Sequence, residues 1–254
     1  MDLHSNLAET LKLCGPAIVS GSGVIEQITK LLVFVITKKH PCQQDFGDEE
    51  EEADLQESSE YDWLIIDTAF DVIMGLSSVL GEQFGQLWKI FEKSIMQYAS
   101  SSESTERCSA VGAISECIRG MSNAVTPFTT GLLKLLLHRL GDEDPQTKAN
   151  AAFAIGLLVE NSGKDQEVLR SYNTILGKLE SLLHAGRSRQ LDNAVGCVSR
   201  MIKKHRSNVP LSEVLPALVD LLPLKDDYEE NDPVYQMIVQ LCKFRTRRGC
   251  YQYC

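Results

Sequence analysis

Two asparagines in this 254-residue sequence recur at a fixed spacing, near side chains that can bind a cation. Asn150 begins the stretch NAAFAIG, and Asn193 begins NAVGCVS 43 positions later. Glu229 and Glu230 stand near the start of the next such stretch. Amide and carboxylate oxygens around one small cavity can accept the three N–H donors of a lysine ammonium group. Phe153, one helical turn after Asn150, can add a cation–π contact of ~0.5 to 2 kcal/mol.

Each of these residues also has a purely structural interpretation. An asparagine at the start of a helix commonly caps it, and a glutamate there is favoured by the helix dipole. Phe153 lies in an almost entirely apolar stretch, where an aromatic ring is more often part of the core. The repeated spacing favours binding, and we predict that these five residues contact cationic side chains of a partner.

The net charge of −10 comes from one short stretch, residues 45–62, which we call the acidic segment. The chain has 35 acidic and 25 basic residues, and the acidic segment contains ten of the acidic and none of the basic ones. Because like charges repel one another and resist packing, we predict a flexible, solvated loop over residues 45–60 that attracts a basic partner. A linker that its charge keeps soluble is the alternative. The acidic residues are Asp45, Asp48, Glu49, Glu50, Glu51, Glu52, Asp54, Glu57, Glu60 and Asp62.

The acidic segment attracts a basic partner through its ten carboxylates together and not through any single one. A single exposed ion pair contributes only about 0 to 1 kcal/mol, so one side chain could not hold a basic partner at cellular ionic strength. Ten carboxylates together raise the local concentration of a basic polypeptide and speed its encounter, and salt screens this effect steeply. We therefore predict that the acidic segment collects the partner, while the recurring asparagines fix its register.

Side chains suited to catalysis or metal binding are not grouped in the sequence. The five histidines have no partners at the spacing of a catalytic triad or a metal site, and no glycine-rich phosphate loop is present. None of the eight cysteines forms a CxxC motif, and we find no histidine at ligand spacing from a cysteine. We therefore predict a protein that is not an enzyme, with no catalytic residues, no metal and no cofactor.

Apolar residues recur in steps of three and four along the chain, which predicts helices throughout. Glycines and prolines divide the chain into about ten helices. Gly112 in AVGAISE and Gly156 in AIGLLVE are 44 positions apart, as are Phe84 and Phe128. A helix pair that recurs every ~40 to 47 residues is typical of HEAT or armadillo repeats. The sequence thus predicts an all-α, right-handed α-solenoid of about four to five HEAT helix pairs.

The predicted organisation has four parts. Residues 1–44 contain partial first repeats, 45–60 the acidic loop, 61–244 the HEAT solenoid and 245–254 a non-repeat tail with arginines and cysteines. In each pair we expect the first helix on the convex side and the second, built of apolar and small residues, on the concave side. Terminal repeats usually carry a polar cap, and neither end offers one, so we expect a piece of a longer solenoid.

Cysteine usage and hydropathy point to the cell interior. Most cysteines lie in apolar helical patterns, where a free thiol behaves as a small hydrophobe, and this favours a reducing compartment. No apolar run approaches the ~20 residues that a bilayer requires, and the N-terminus lacks a signal-peptide pattern. The basic cluster 203–206 closes a predicted helix, where cations are favoured. We expect a soluble intracellular protein that binds neither a membrane nor, directly, nucleic acid.

The chain resembles a known family in three stretches. In order these are EYDWLIIDTAFDVIMGLSSVLGEQFGQLWKIFEK after the acidic segment, DEDPQTKANAAFAIGLLVENSG, and LPALVDLLPLKDDYEE. Their order and spacing are similar to those in the C-terminal HEAT repeats of the importin-4 subfamily of β-karyopherins, which are nuclear import receptors. The similarity covers about residues 5 to 240, and the tail after Phe244 departs from it.

The resemblance implies a fragment of a nuclear import receptor, present in cytoplasm and nucleus. It would bind Lys- and Arg-rich cargo such as histones or ribosomal proteins through Asn150, Phe153, Asn193, Glu229 and Glu230, together with the acidic segment. The family binds Ran GTPase and many nucleoporins through repeats upstream of this region, so we expect those partners only for a full-length relative. The alternative is a HEAT-repeat scaffold in another intracellular assembly, in which the acidic segment would be incidental.

Overall fold

A computed structural model describes residues 3–43, 52–183 and 188–249. Within these ranges the chain forms helices and turns and no strand, which confirms the predicted all-α class. The helices are α1 Leu3–Val19, α2 Val24–Ile36, α3 Glu52–Leu80, α4 Phe84–Tyr98, α5 Ser104–Met121, α6 Thr129–Arg139, α7 Pro145–Asn161, α8 Asp165–Arg170, α9 Tyr172–Leu183, α10 Arg189–His205, α11 Leu211–Asp220 and α12 Asn231–Gly249. Short 3₁₀ turns join several of them, at Pro41–Gln43, Gly81–Gln83, Ser122–Phe128, Arg206–Asn208 and Tyr228–Glu230.

The chain divides into two compact units, Met1–Val125 and Thr126–Cys254. In the first unit, α3 packs between α1 and α5, while α2 and α4 form a second layer against α3 and α5. Large side chains from these helices, including Phe70, Trp88 and Phe91, are almost completely buried. Neither layer could bury its apolar stripe alone, so the two layers share one core.

The second unit repeats this arrangement. Helix α10 packs between α7 and α12, and these three form what we call the second-helix layer. Helix α6 packs on α7, and α9 packs on α10. A Cβ atom on Gly156 of α7 would lie 3.0 Å from the Cα atom of Cys197 in α10, so the glycine allows the close approach of these two helices. With α8 and α9 counted as one broken helix, the described residues form eleven helices, close to the ten or so that the sequence predicts.

Two predicted boundaries differ from the structure. Residues 45–51, the first part of the predicted acidic loop, lie outside the described residues. Helix α3 already begins at Glu52, so residues 52–60 are helical and not a loop. Acidic side chains are favoured in the first turns of a helix, and Glu, Ala, Leu and Gln are good helix formers. Similarly, α12 continues to Gly249, past the predicted end of the repeat at residue 244, because arginines suit the last turn of a helix.

One stretch, Asp62–Tyr98, is long and apolar enough by composition to cross a membrane, which the sequence analysis missed. Core helices of soluble proteins pass the same test. Ile66, Phe70, Ile73 and Leu76 of this stretch are each at most 1% exposed. They lie on α3, which packs between α1 and α5, so burial in the core of the first unit accounts for their apolar character.

Candidate functional site

Asn193 lies in the first turns of α10 and is only 2% exposed. Its Nδ2 donates a hydrogen bond to the backbone oxygen of Ala149 in α7 at 3.2 Å. Its Oδ1 is buried as well and accepts no hydrogen bond from the described residues. Asn193 therefore joins two neighbouring helices of the second-helix layer, and its amide is not open to solvent.

Neither recurring asparagine caps its helix, which settles one of the alternatives left by the sequence. The cap of α7 is Asp144, whose carboxylate accepts a hydrogen bond from the backbone N–H of Thr147 at 2.6 Å. The cap of α10 is Ser188. Asn150 is half-buried and accepts a hydrogen bond from Nε2 of Gln146 at 3.0 Å.

Phe153 makes the predicted kind of contact, but with a cation of its own chain. Cζ of Arg200 lies 5.5 Å from the centroid of the Phe153 ring. The ring is half-buried, so it is not simply a core residue. Arg200 lies on α10 and Phe153 on α7, and these two helices pack against each other.

The two adjacent glutamates before α12 have different environments. Glu229 is exposed. Glu230 is 1% exposed, and its carboxylate accepts hydrogen bonds from Nη1 and Nη2 of Arg200 at 2.5 and 2.9 Å. In the free chain the cation at Glu230 is Arg200 of the chain itself, while contact of Glu230 with a partner stays a prediction.

Arg200, which the sequence pattern does not single out as a site residue, is the cation that joins Glu230 and Phe153. It is 6% exposed, and besides Glu230 it forms an ion pair with Glu160 of α7, with 3.4 Å between Nε and Oε2. Burial alone would lower the pKa of Arg200, but the hydrogen bonds and charge of Glu230, with the charge of Glu160, raise the pKa above its ordinary value. The available signal was an arginine inside the otherwise uncharged stretch AVGCVSRMI, since a buried guanidinium requires a carboxylate partner.

A polar row crosses the second-helix layer one turn further along. Nζ of Lys203 lies 2.6 Å from Oε1 of Glu160 on α7 and 3.0 Å from Oε1 of Gln236 on α12. Nζ of Lys204 donates to the backbone oxygens of Glu160 and Ser162. These lysines lie in the last turn of α10, as predicted for the basic cluster.

Asp192 holds the turn that precedes Glu229 and Glu230. It is 4% exposed, and its Oδ2 accepts hydrogen bonds from the backbone N–H groups of Lys225, Asp226 and Asp227 at 3.1, 2.7 and 2.8 Å. Asp192 is the residue before Asn193 on α10. Adjacent residues of one helix thus contact α7 on one side and the 225–227 turn on the other.

The acidic segment belongs to the first unit, and only part of it is described. Glu52, Asp54, Glu57 and Glu60 lie in the first turns of α3. Asp62 is half-buried on the same helix. The pKa of Tyr98 rises to about 12, chiefly because the phenol is buried and further because Glu106 and Asp62 are near it.

Two cysteine environments are notable. Nδ1 of His40 lies 2.8 Å from Sγ of Cys42, so one histidine and one cysteine form a close pair. The spacing His-Pro-Cys was visible in the sequence. Cys117 and Cys197 are fully buried, as expected for cysteines that act as small hydrophobes.

Sequence comparisons relate the chain to import receptors, although no family model matches it. It is 35% identical over 232 residues to "Probable importin subunit beta-4" of Schizosaccharomyces pombe. It is 30% identical over 227 residues to Importin-4 of Homo sapiens and 29% identical over 233 residues to Importin-4 of Mus musculus. The alignments cover 88%, 88% and 91% of this chain but 21% of each relative. The chain thus spans about a fifth of the length of these relatives.

Solved structures of the karyopherin Kap121p share the fold. Kap121p bound to the SUMO protease Ulp1p, to Ste12p and to Nup53p gives TM-scores of 0.67, 0.68 and 0.63 at 14%, 16% and 16% sequence identity. Each match covers 94% of this chain and 22% of Kap121p. At this level of identity the likeness concerns the fold alone. The chain is thus similar in sequence to importin-4 and importin subunit beta-4 proteins, and its fold is the HEAT-repeat solenoid of karyopherins.

Proposed function

We propose that this chain is part of a nuclear import receptor and binds Lys- and Arg-rich segments of cargo proteins, such as the tails of histones or ribosomal proteins. The observation that carries the proposal is the 35% identity over 232 residues to an importin subunit. A receptor of this kind works in both cytoplasm and nucleus. Because the chain spans about a fifth of its relatives, contacts with Ran and nucleoporins are proposed only for a longer protein.

The distribution of charge supports a basic partner. Residues 1–125 contain 20 acidic and 8 basic side chains, whereas residues 126–254 contain 15 and 17. The excess of negative charge thus lies in the first unit, and ten of its acidic residues belong to the acidic segment. We propose that this unit attracts a basic polypeptide over a distance of about one Debye length, ~8 to 10 Å at cellular ionic strength.

The second unit supplies a smaller set of candidate contacts. Asn150 and Phe153 are half-buried and Glu229 is exposed, so a partner could reach part of each side chain from solvent. Asn193 and Glu230 are buried and keep α7, α10 and the turn before α12 together in the free chain. We therefore propose that the first three residues can contact a partner without any rearrangement of the free chain, whereas the other two hold its helices together.

Fluorescence anisotropy with a labelled Lys- and Arg-rich peptide tests the proposal. We expect the full chain to bind this peptide at low salt, and not a peptide of equal length in which Gln replaces each basic residue. The double variant N150A/E229A should weaken binding several-fold, whereas the exposed surface variant D220A should not. Equal affinity for the basic and the neutral peptide would contradict the proposal and favour a HEAT-repeat scaffold.

A further inference from the structure

The buried carboxylate of Glu230 lies in a site that surrounds one guanidinium group. Both of its oxygens accept hydrogen bonds from Arg200, at 2.5 and 2.9 Å. The ring of Phe153 lies 5.5 Å from Cζ of the same guanidinium. A carboxylate that accepts two N–H bonds, beside an aromatic ring, binds a planar guanidinium more selectively than an ammonium.

Two glycines make room for this arrangement. A Cβ atom on Gly196 of α10 would overlap with the carboxylate of Glu230 and lie 3.1 Å from Nη1 of Arg200. A Cβ atom on Gly156 of α7 would lie 3.3 Å from Cδ and 3.4 Å from Nη1 of Arg200. Glycine is unfavourable inside a helix by ~1 kcal/mol relative to alanine, so two glycines at this place indicate a need for space.

We propose that Glu230, Phe153 and the notch at Gly196 form a guanidinium-binding site that Arg200 occupies within the free chain, and that an arginine of a basic cargo can replace Arg200 there. The second part rests on the proposed function. The first part concerns this chain alone and needs no cargo.

Because a cargo arginine must displace Arg200 from the site, the site favours cargo with several basic residues close together. An arginine of the same chain competes at an effective concentration of about millimolar or higher, so a single free arginine would displace it rarely. A segment with several neighbouring basic residues, held near the chain by other contacts, has a comparable local concentration. The site therefore discriminates in favour of arginine-rich clusters over isolated basic residues and over lysine.

The occupancy part is tested by chemical rescue of the full chain. We expect R200A to lower the melting temperature, and millimolar methylguanidinium to raise the melting temperature of R200A more than the same concentration of methylammonium does. Wild type and the double variant R200A/E230A should not respond in this way. R189A, an arginine of the same helix that is exposed, is the matched control and should show no rescue. Equal responses of R200A and R200A/E230A would overturn the proposed site.

Should R200A fail to fold, refolding it with and without methylguanidinium decides the same point. Recovery of the helical circular-dichroism signal only with methylguanidinium supports the site. Failure to recover in both conditions contradicts it.

The exchange part is tested by peptide binding to the folded variants. R200A should bind an arginine-rich peptide about tenfold more tightly than wild type does, because the internal competitor has gone, and a lysine-for-arginine peptide should gain clearly less. Equal affinity of wild type and R200A for the arginine-rich peptide would overturn the exchange. If neither protein binds any basic peptide, the proposed function fails, while the rescue experiment still decides the guanidinium site.

Discussion

The carboxylate of Asp192 on α10 accepts a hydrogen bond from the backbone N–H of Asp226 at 2.7 Å. The same oxygen also accepts from the backbone of Lys225 and Asp227. One buried side chain thus fixes the turn that leads to Glu229 and Glu230. The position of these glutamates depends on a residue more than thirty positions earlier in the chain.

Replacement of Asp192 by alanine should destabilise the second unit. Three backbone N–H groups lose a charged acceptor, and hydrogen bonds to charged groups contribute about 1.5 to 3 kcal/mol each, so we expect a loss of roughly 3 kcal/mol after partial compensation by water. Urea unfolding of the full chain measures this. D220A, an exposed aspartate of α11, should change stability by no more than about 0.5 kcal/mol. A similar small effect for D192A would show that the turn does not depend on Asp192.

Two glycine-to-alanine substitutions should have opposite effects. G196A places a methyl group against Glu230 and should lower the free energy of unfolding by about 1 to 3 kcal/mol, as overpacking of a core does. G177A on α9 meets no atom within 4 Å, so it should raise the free energy of unfolding by up to about 1 kcal/mol through better helix propensity. Denaturant titration of both variants gives the comparison. Stabilisation by G196A would contradict the close approach of Glu230 to α10.

Alkaline pH should weaken the fold through its buried thiols. Burial raises the pKa of Cys197 from 9.0 to about 12 and places the pKa of Cys117 higher still. Above pH 9 the unfolded chain releases these protons first, so the stabilising contribution of the neutral thiols is complete below pH 9 and is lost as pH rises toward 12. Each thiol should lower the free energy of unfolding by up to about 1.4 kcal/mol per pH unit in that window.

Urea midpoints between neutral pH and about pH 10 test this prediction. The variant C117A/C197A should lose less stability over that range than wild type does. The exposed pair C14A/C42A is the matched control and should follow wild type. Identical slopes for the wild-type chain and C117A/C197A would show that these thiols do not cause the pH dependence.

The architecture could be predicted because it depends on local and repeating signals. Gly112 and Gly156, 44 positions apart, lie in the second helices α5 and α7 of their pairs, as the repeat spacing requires. Breakers such as Pro145 and Gly81 stand at helix boundaries. These features need only short-range sequence information. The start of α3 differs from the prediction because the helix propensity of residues 52–60 outweighs the mutual repulsion of their carboxylates.

The candidate site was only partly predictable. The sequence pointed to Phe153 and Glu230 as a place for a cation, and the structure brings both to one guanidinium group. The uncharged stretch around Arg200 marks it as a buried cation, but the sequence does not show that Glu230 and Phe153 are its partners, because these residues lie 30 and 47 positions away on other elements. Which of the two adjacent glutamates is exposed and which is buried depends on the turn held by Asp192, and two identical neighbouring residues carry no signal for it.

The most direct test of the account is the affinity of the full chain for a Lys- and Arg-rich peptide after the acidic segment is neutralised. The variant D48N/E49Q/E50Q/E51Q removes four of its ten negative charges, and E26Q/E82Q/E92Q/E103Q removes four others from the first unit. We predict that the first variant binds at least about fivefold more weakly at low salt and shows a smaller salt dependence, while the second changes affinity less. If the wild-type chain and D48N/E49Q/E50Q/E51Q bind the peptide with equal affinity at every salt concentration, the acidic segment does not collect basic cargo.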